Sequence, residues 1–251
     1  MSWLTDAHIH LSDDEFKLDM PYILTAMAKM RLRACCVSMD YQSSCATLAL
    51  GEKSNLILPF VGIHPEKAQE DTQPVLSLIA SNSDLIAGIG EIGLDRTYVS
   101  DEEGFRRQKG VFESMLSLAE KLRKPVSIHS RKTLDDIFSI LPSYRVGGTL
   151  LHWFSGSKAQ LKKAMDMGCY VSYGPAMVYS QDKQVLFSET LPERILLETD
   201  GPVKFSRCFG QRTAQITFLP SVLFCASDLM GRAYEETLGI IEKNTNDYLG
   251  V

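Results

Sequence analysis

The chain has 251 residues, 45% apolar and 23% charged, a globular balance with ample material for a core. Its net charge of −5 excludes broad electrostatic wrapping of nucleic acid, though not a pocket that handles one or two phosphates with bound cations. No stretch approaches the roughly 18 apolar residues that span a bilayer. Asp6, His8 and His10 interrupt the N-terminus before the apolar run of a secretory signal could form, so the expected location is the cytoplasm. The six cysteines, Cys35, Cys36, Cys45, Cys169, Cys208 and Cys225, include no C-x-x-C pair and read as reduced, mostly buried thiols.

No linker, low-complexity tract or block of like charge divides the chain, which reads as a single domain over residues 1–251. The first strand-like run is Leu4–Leu11. Asp19-Met20-Pro21 then opens a helix, with proline tolerated in its first turn, and Ile23, Met27 and Met30 form its apolar stripe. Further apolar runs follow at Ala34–Met39, Ile57–Ile63 and Leu85–Glu91. The longest helical pattern runs from about Asp101 to Leu122, with Phe105, Phe112, Met115, Ala119 and Leu122 on one side and Pro125 as its stop. Four more strand-like runs complete the series: Pro125–His129, Thr149–Trp153, Tyr170–Tyr173 and Ile195–Glu198. Eight strands alternating with helices at intervals of roughly 27 residues suit repeated β/α units. A doubly wound open sheet gives a similar alternation, but eight strands in this length favour a closed (β/α)8 TIM-type barrel.

The five histidines, His8, His10, His64, His129 and His152, all fall at or just past the end of a candidate strand. In a barrel those ends and their loops form the active-site face. His8 and His10 are two apart, so on a strand their imidazoles share one face and suit a divalent ion. Glu91 ends an apolar run among Gly88, Gly90 and Gly93. A carboxylate there is costly unless paired or bound to a cation, and its two oxygens can bridge two metals. His129, His152 and Asp200 end further strands. Singly, a strand-end histidine is more often a core residue, and a strand-end glutamate more often half of a surface ion pair. Together, four histidines and two carboxylates fit two divalent ions with open positions. Mixed nitrogen and oxygen donors suit zinc, manganese, iron or cobalt, and admit magnesium.

Six ordered motifs between residues 6 and 202 resemble the TatD-type metal-dependent deoxyribonucleases of the amidohydrolase-like barrel superfamily. They are Asp6-Ala7-His8-Ile9-His10, Gly62-Ile63-His64-Pro65, Gly90-Glu91-Ile92-Gly93-Leu94-Asp95, His129-Ser130-Arg131, His152-Trp153-Phe154-Ser155-Gly156 and Glu198-Thr199-Asp200. Phe105, Gln108 and Asp135 match as well, and Asn244 resembles a structural motif of the terminal helix. The resemblance implies a barrel hydrolase that uses divalent metals on DNA, commonly as an exonuclease. It implies that His8, His10 and Asp200 hold one metal, that His129 and His152 hold the second, and that Glu91 contacts both. His64 would then sit near the substrate phosphate rather than on a metal. The segment Val203–Gln215 departs from the family pattern and bears on substrate preference.

In the mechanism that follows, the metals activate a water and clamp a phosphate, Asp200 accepts the water's proton, and Arg131 is a candidate phosphate contact. Lys204 reads more simply as a surface cation. Trp153, Phe154 and Tyr173 could stack on a terminal base, but core packing is expected for at least two of them. Without a basic stripe, end-nibbling is expected rather than internal cutting. The expected partner is therefore the DNA end as substrate, acted on by a monomer with no membrane and no obligate protein partner. One alternative is hydrolysis of an amide, lactone or phosphotriester. Such sites in the superfamily often bridge their metals with a modified lysine after the fourth strand, and no lysine lies between Leu85 and Leu94. Another is a barrel kept as a binding protein, which would have no need of six competent ligands.

Overall fold

The computed structural model describes residues 2–251. Its strands are β1 (Leu4–Ile9), β2 (Leu32–Val37), β3 (Ile57–Val61), β4 (Gly88–Asp95), β5 (Val126–Arg131), β6 (Thr149–Leu151), β7 (Tyr170–Tyr173) and β8 (Ile195–Leu197). Seven helices are interleaved with them: α1 (Met20–Met30), α2 (Tyr41–Lys53), α3 (Gln73–Ser81), α4 (Glu102–Leu122), α5 (Leu134–Ile140), α6 (Lys158–Asp166) and α7 (Gln181–Glu189). A short hairpin, β9 (Lys204–Phe205) with β10 (Arg212–Thr213), then leads into α8 (Leu219–Met230) and α9 (Tyr234–Leu249). The eight long-range strands form one sheet in sequential order, and every neighbouring pair is parallel. This is the expected (β/α)8 barrel.

The ring closes between β8 and β1 without a ladder. The Asp200 N–H donates to the His8 carbonyl at 3.0 Å and the His10 N–H to the Gly201 carbonyl at 2.8 Å. Below these, the Asp6 carboxylate accepts from the backbone N–H groups of His8 and Thr199, each at 3.1 Å, and from the Thr199 hydroxyl. Asp6 is fully buried, and that burial pushes its carboxyl up to about 7.

The floor of the barrel is packed. Ala7, Cys35, Val37, Phe60, Leu150 and Leu196 pack together with Tyr248 of α9, whose hydroxyl donates to the Val126 carbonyl at 3.1 Å. Asn244, one helical turn earlier, donates to the carbonyls of Pro192 and Ile195 and so ties α9 to the root of β8. With the floor filled, access is left at the strand C-termini.

Local chemistry explains the helix limits. The Asp101 side chain caps α4 by accepting from the Gly104 N–H at 2.7 Å. The expected stripe is buried except for the half-buried Leu122, and the helix stops at Arg123 in a left-handed conformation, two residues before Pro125. On α1, Ile23 and Met27 are buried, whereas Met30 at the last turn is exposed. Cys35, Cys36 and Cys169 are buried, but Cys45 and Cys208 are exposed and Cys225 is half-buried, fewer buried thiols than composition suggested.

The largest displacement from expectation is at β4, which spans Gly88–Asp95 rather than Leu85–Glu91. Leu85 lies outside the strand, half exposed. Gly88 and Gly90 lie inside the strand as expected, and the strand runs on through Gly93, where nothing larger fits. A Cβ on Gly93, whose φ is +147°, would lie 2.1 Å from the His129 carbonyl oxygen, and one on Gly62 would lie 2.7 Å from the Gly90 carbonyl carbon. Elsewhere β2 begins at Leu32, two residues earlier than expected, and β5 continues past His129 to Arg131.

Two bulges aim the functional residues. In β1 the register slips between Asp6 and Ile9, so Ala7 joins the floor while His8 and His10 face the mouth and Ile9 packs outward. In β4 it slips between Ile89 and Ile92, around Glu91, and the Gly90–Glu91 peptide is cis. Replacing Asp6 by Ala removes three hydrogen bonds from the closure of the ring. Thermal unfolding of the metal-free protein should show a loss of about 2–4 kcal/mol, a fall of roughly 5–12 °C in Tm.

Candidate metal centre

Glu91 is 2% exposed and every histidine of the chain comes to its carboxylate. Toward Oε2 come His10 Nε2 at 3.3 Å and His8 Nε2 at 3.5 Å. Toward Oε1 come His129 Nδ1 at 2.9 Å, His152 Nε2 at 2.8 Å and His64 Nε2 at 3.6 Å. Asp200 Oδ1 lies 3.7 Å from both His8 Nε2 and His10 Nε2. The two carboxylate oxygens thus face two groups, His8, His10 and Asp200 on one side and His129, His152 and His64 on the other. All six expected ligands converge, and His64 joins them.

The sides are held from behind. His8 Nδ1 bonds the Ser127 hydroxyl at 2.8 Å, and its ring stacks on that of His152 with centroids 3.7 Å apart. His8 Nε2, which faces Glu91 and Asp200, is buried with no hydrogen-bond partner among the described residues. A divalent ion between these donors would satisfy that atom, and donors lie within 4.8 Å of one another in three groups: His8, His10 and Glu91; His64, Glu91 and His129; and, across the two sides, His8, His152 and Asp200. His129 Nε2 bonds Asp95 Oδ2 at 2.8 Å, which leaves Nδ1 to face Glu91. Asp95 is fixed in turn. Its Oδ1 accepts from the Thr97 N–H and hydroxyl, both at 2.6 Å, and Gln108 of α4 bonds its backbone N–H and carbonyl, each at 3.0 Å. Glu198 accepts from the Trp153 N–H at 2.8 Å and the Ser172 hydroxyl at 2.6 Å, and so fixes the exit of β6 just past His152.

Sequence reasoning gave no role to Asp95, Ser127 or Glu198. Asp95 and Glu198 lie inside recognised motifs, and the available signal was the rarity of a buried unpaired carboxylate. Ser127 follows from the two-residue period of β5, which puts it on the inward side with His129.

Burial would raise the Glu91 carboxyl, but the imidazoles of His64, His152 and His8 outweigh it and hold the group well below the usual carboxylate range. Asp200 goes the other way: burial, with Glu198 and Glu91 nearby, pushes it well above. Burial lowers His64 to about 4, so that imidazole is neutral at pH 7. Burial also opposes protonation of His129, but its bonds to Asp95 and Glu91 prevail and raise it to about 9.

Above these groups opens a cleft of about 1040 Å³ whose walls include Tyr98, Arg131, Lys132, Trp153 and Val203. Arg131 is exposed on this wall. Lys204 is exposed outside the lining, 4.0 Å from Glu15, in keeping with a surface cation. Of the three aromatic candidates only Trp153 lines the cleft. Phe154 is buried, and Tyr173 is buried with its hydroxyl bonded to Thr190.

A parallel eight-stranded barrel whose mouth gathers imidazoles and acids around one shared carboxylate belongs to the metal-dependent hydrolases. The family model described as TatD related DNase matches residues 5–250, and the chain belongs to that family. The metal-dependent hydrolase YabD of Bacillus subtilis is 28% identical over 249 residues, 96% of each chain. Human deoxyribonuclease TATDN3 is 29% identical over 213 residues, covering 79% of this chain and 78% of its own. The 3'-5' ssDNA/RNA exonuclease TatD of Pantoea ananatis is 28% identical over 203 residues, 76% of each. In fold, the crystal structure of the Escherichia coli TatD homologue YJJV matches with a TM-score of 0.90 at 23% identity, covering 99% of this chain and 98% of that one.

The raised His129 value sets a pH dependence for the metal-free protein. Its pairing with Asp95 and Glu91 stabilises fully below the unfolded value near 6.5, and that contribution is lost as pH rises through about 9. Proton NMR titration should find the His129 ring protonated at pH 7.5. In Asp95→Asn its midpoint should fall toward 6.5, and the decline in stability between pH 7 and 9 should flatten.

Proposed function

We propose that this chain is a phosphodiester hydrolase that uses two divalent cations, zinc, manganese or magnesium, to remove nucleotides from DNA ends. The observation that carries the proposal is the division of Glu91: Oε2 faces His8 and His10, and Oε1 faces His129 and His152. His8, His10, Asp200 and Glu91 would hold one cation, and His129 Nδ1, His152 Nε2 and Glu91 the other. When bound, such a pair makes water a nucleophile near neutral pH and offsets charge that grows on the phosphate. Asp200, which borders the cleft as well as the first site, would accept the proton of the attacking water as a carboxylate. His64 is neutral, so it contributes to phosphate binding as a hydrogen-bond donor rather than as a charge. Arg131 supplies the full positive charge at the rim. The names of the human and Pantoea relatives support a nucleic-acid substrate. The same reading places the enzyme in the cytoplasm and has it act as a monomer. Among the described residues no helix is long and apolar enough to cross a membrane.

Chelation should abolish hydrolysis of a single-stranded DNA oligomer, and His129→Ala should lower kcat at least about 100-fold with the fold retained by circular dichroism. A panel of DNA oligomers, bis(nitrophenyl) phosphate, lactones and small amides separates this reading from its nearest alternative. Turnover confined to the amides or lactones would refute a nuclease. Asp95→Ala, which frees the outer nitrogen of His129, should weaken binding of the second cation about 10- to 100-fold in calorimetric titration.

A further inference from the structure

The hairpin that follows Asp200 has no part in the chemistry above, yet it abuts the cleft. Val203 lines the cleft wall, and Phe205 packs on Trp153 with ring centroids 5.4 Å apart. Its own core is aromatic: Phe205 meets Phe209 at 6.4 Å, and Phe209 stacks on Phe218 at 4.9 Å. The β9–β10 pairing and this column hold the hairpin against the cleft wall.

Its outer surface is unlike the rest of the protein. The chain carries 31 acidic against 26 basic residues, yet no Asp or Glu occurs between Asp200 and Asp228. Three cations stand on the hairpin within nine residues, Lys204, Arg207 and Arg212, and all three are exposed. Neither Arg207 nor Arg212 has an ion-pair partner among the described residues, and Lys204 only approaches the half-exposed Glu15 at 4.0 Å. Arg207 and Arg212, exposed and without ion-pair partners among the described residues, create a local positive field beside the cleft, while Glu15, which accepts from the Thr213 hydroxyl, offsets Lys204. The cleft has room for only a few nucleotides, so the remainder of a longer strand must pass over its rim.

We propose that the hairpin 204–213 is a contact surface for the phosphate backbone of a single-stranded polynucleotide whose end occupies the cleft. The inference rests on the nuclease reading and adds to it a preference for strands longer than the cleft. The partner is defined by charge alone, because guanidinium groups bind phosphate oxygens whatever the base. Phosphate binding by two arginines also carries a distinct signature. Each phosphate neutralised on a single strand contributes about −0.7 to the slope of log affinity against log salt.

The test uses the double variant Arg207→Gln with Arg212→Gln, both at exposed positions, with its thermal unfolding matched to wild type. Fluorescence anisotropy on protein freed of metal by chelation measures binding of a labelled 12-nucleotide single strand and of a dinucleotide. The 12-mer should bind the variant about tenfold more weakly at low salt, with a salt slope shallower by about 1.4, while the dinucleotide binds both proteins within twofold. Equal 12-mer affinities and slopes in variant and wild type would overturn the inference, as would failure of wild type to bind the 12-mer at all. If wild type binds the 12-mer with the expected slope but the metal-loaded enzyme hydrolyses no strand, the nuclease reading fails and the contact surface stands.

Discussion

The structure at the barrel mouth depends on one buried anion. A carboxylate taken out of water costs several kcal/mol unless opposite charge or hydrogen-bond donors replace the solvent. Glu91 meets that condition with five imidazole nitrogens from the ends of four strands, β1, β3, β5 and β6. Because its two oxygens point to different clusters, the group cannot be satisfied from one side only. The bulge in β4, the glycines at 62 and 93, and the slip in β1 all serve to bring that carboxylate and its partners within reach.

The surroundings translate this constraint into chemistry. Metal-binding histidines are commonly oriented through their second nitrogen, and here His8 leans on Ser127 and His129 on Asp95. Asp95 is anchored through Gln108, so α4 on the outside of the barrel reaches the inside of the site through one amide. Asp6 plays the corresponding part at the seam, where it replaces the missing ladder between β8 and β1 and sets the height of His8 against Asp200. Stability and site geometry therefore share residues.

Much of this was legible in the sequence because barrels repeat and their strand ends converge. The spacing of the apolar runs gave eight strands in order, and the confinement of all histidines to their ends gave the site. The less legible features are those that break periodicity. The strand that carries Glu91 reads with both ends misplaced, as Leu85–Glu91 for Gly88–Asp95, since the pattern used to bound strands is the alternation of side chains and Gly88, Gly90 and Gly93 have none. Bulges shift the facing of residues by one position, which no alternation rule anticipates. The hairpin at 204–213 is two residues deep on each side, too short to show a period. Asp95 looked like the tail of a motif because its partner, His129, lies 34 residues away.

The central claim, that one glutamate is shared between two cations, is tested most directly by crystals grown in manganese and measured for anomalous scattering. Two peaks should flank the Glu91 carboxylate, one against His8, His10 and Asp200 and one against His129 and His152. A single peak remote from Glu91, or no peak among these residues at saturating metal, would contradict it.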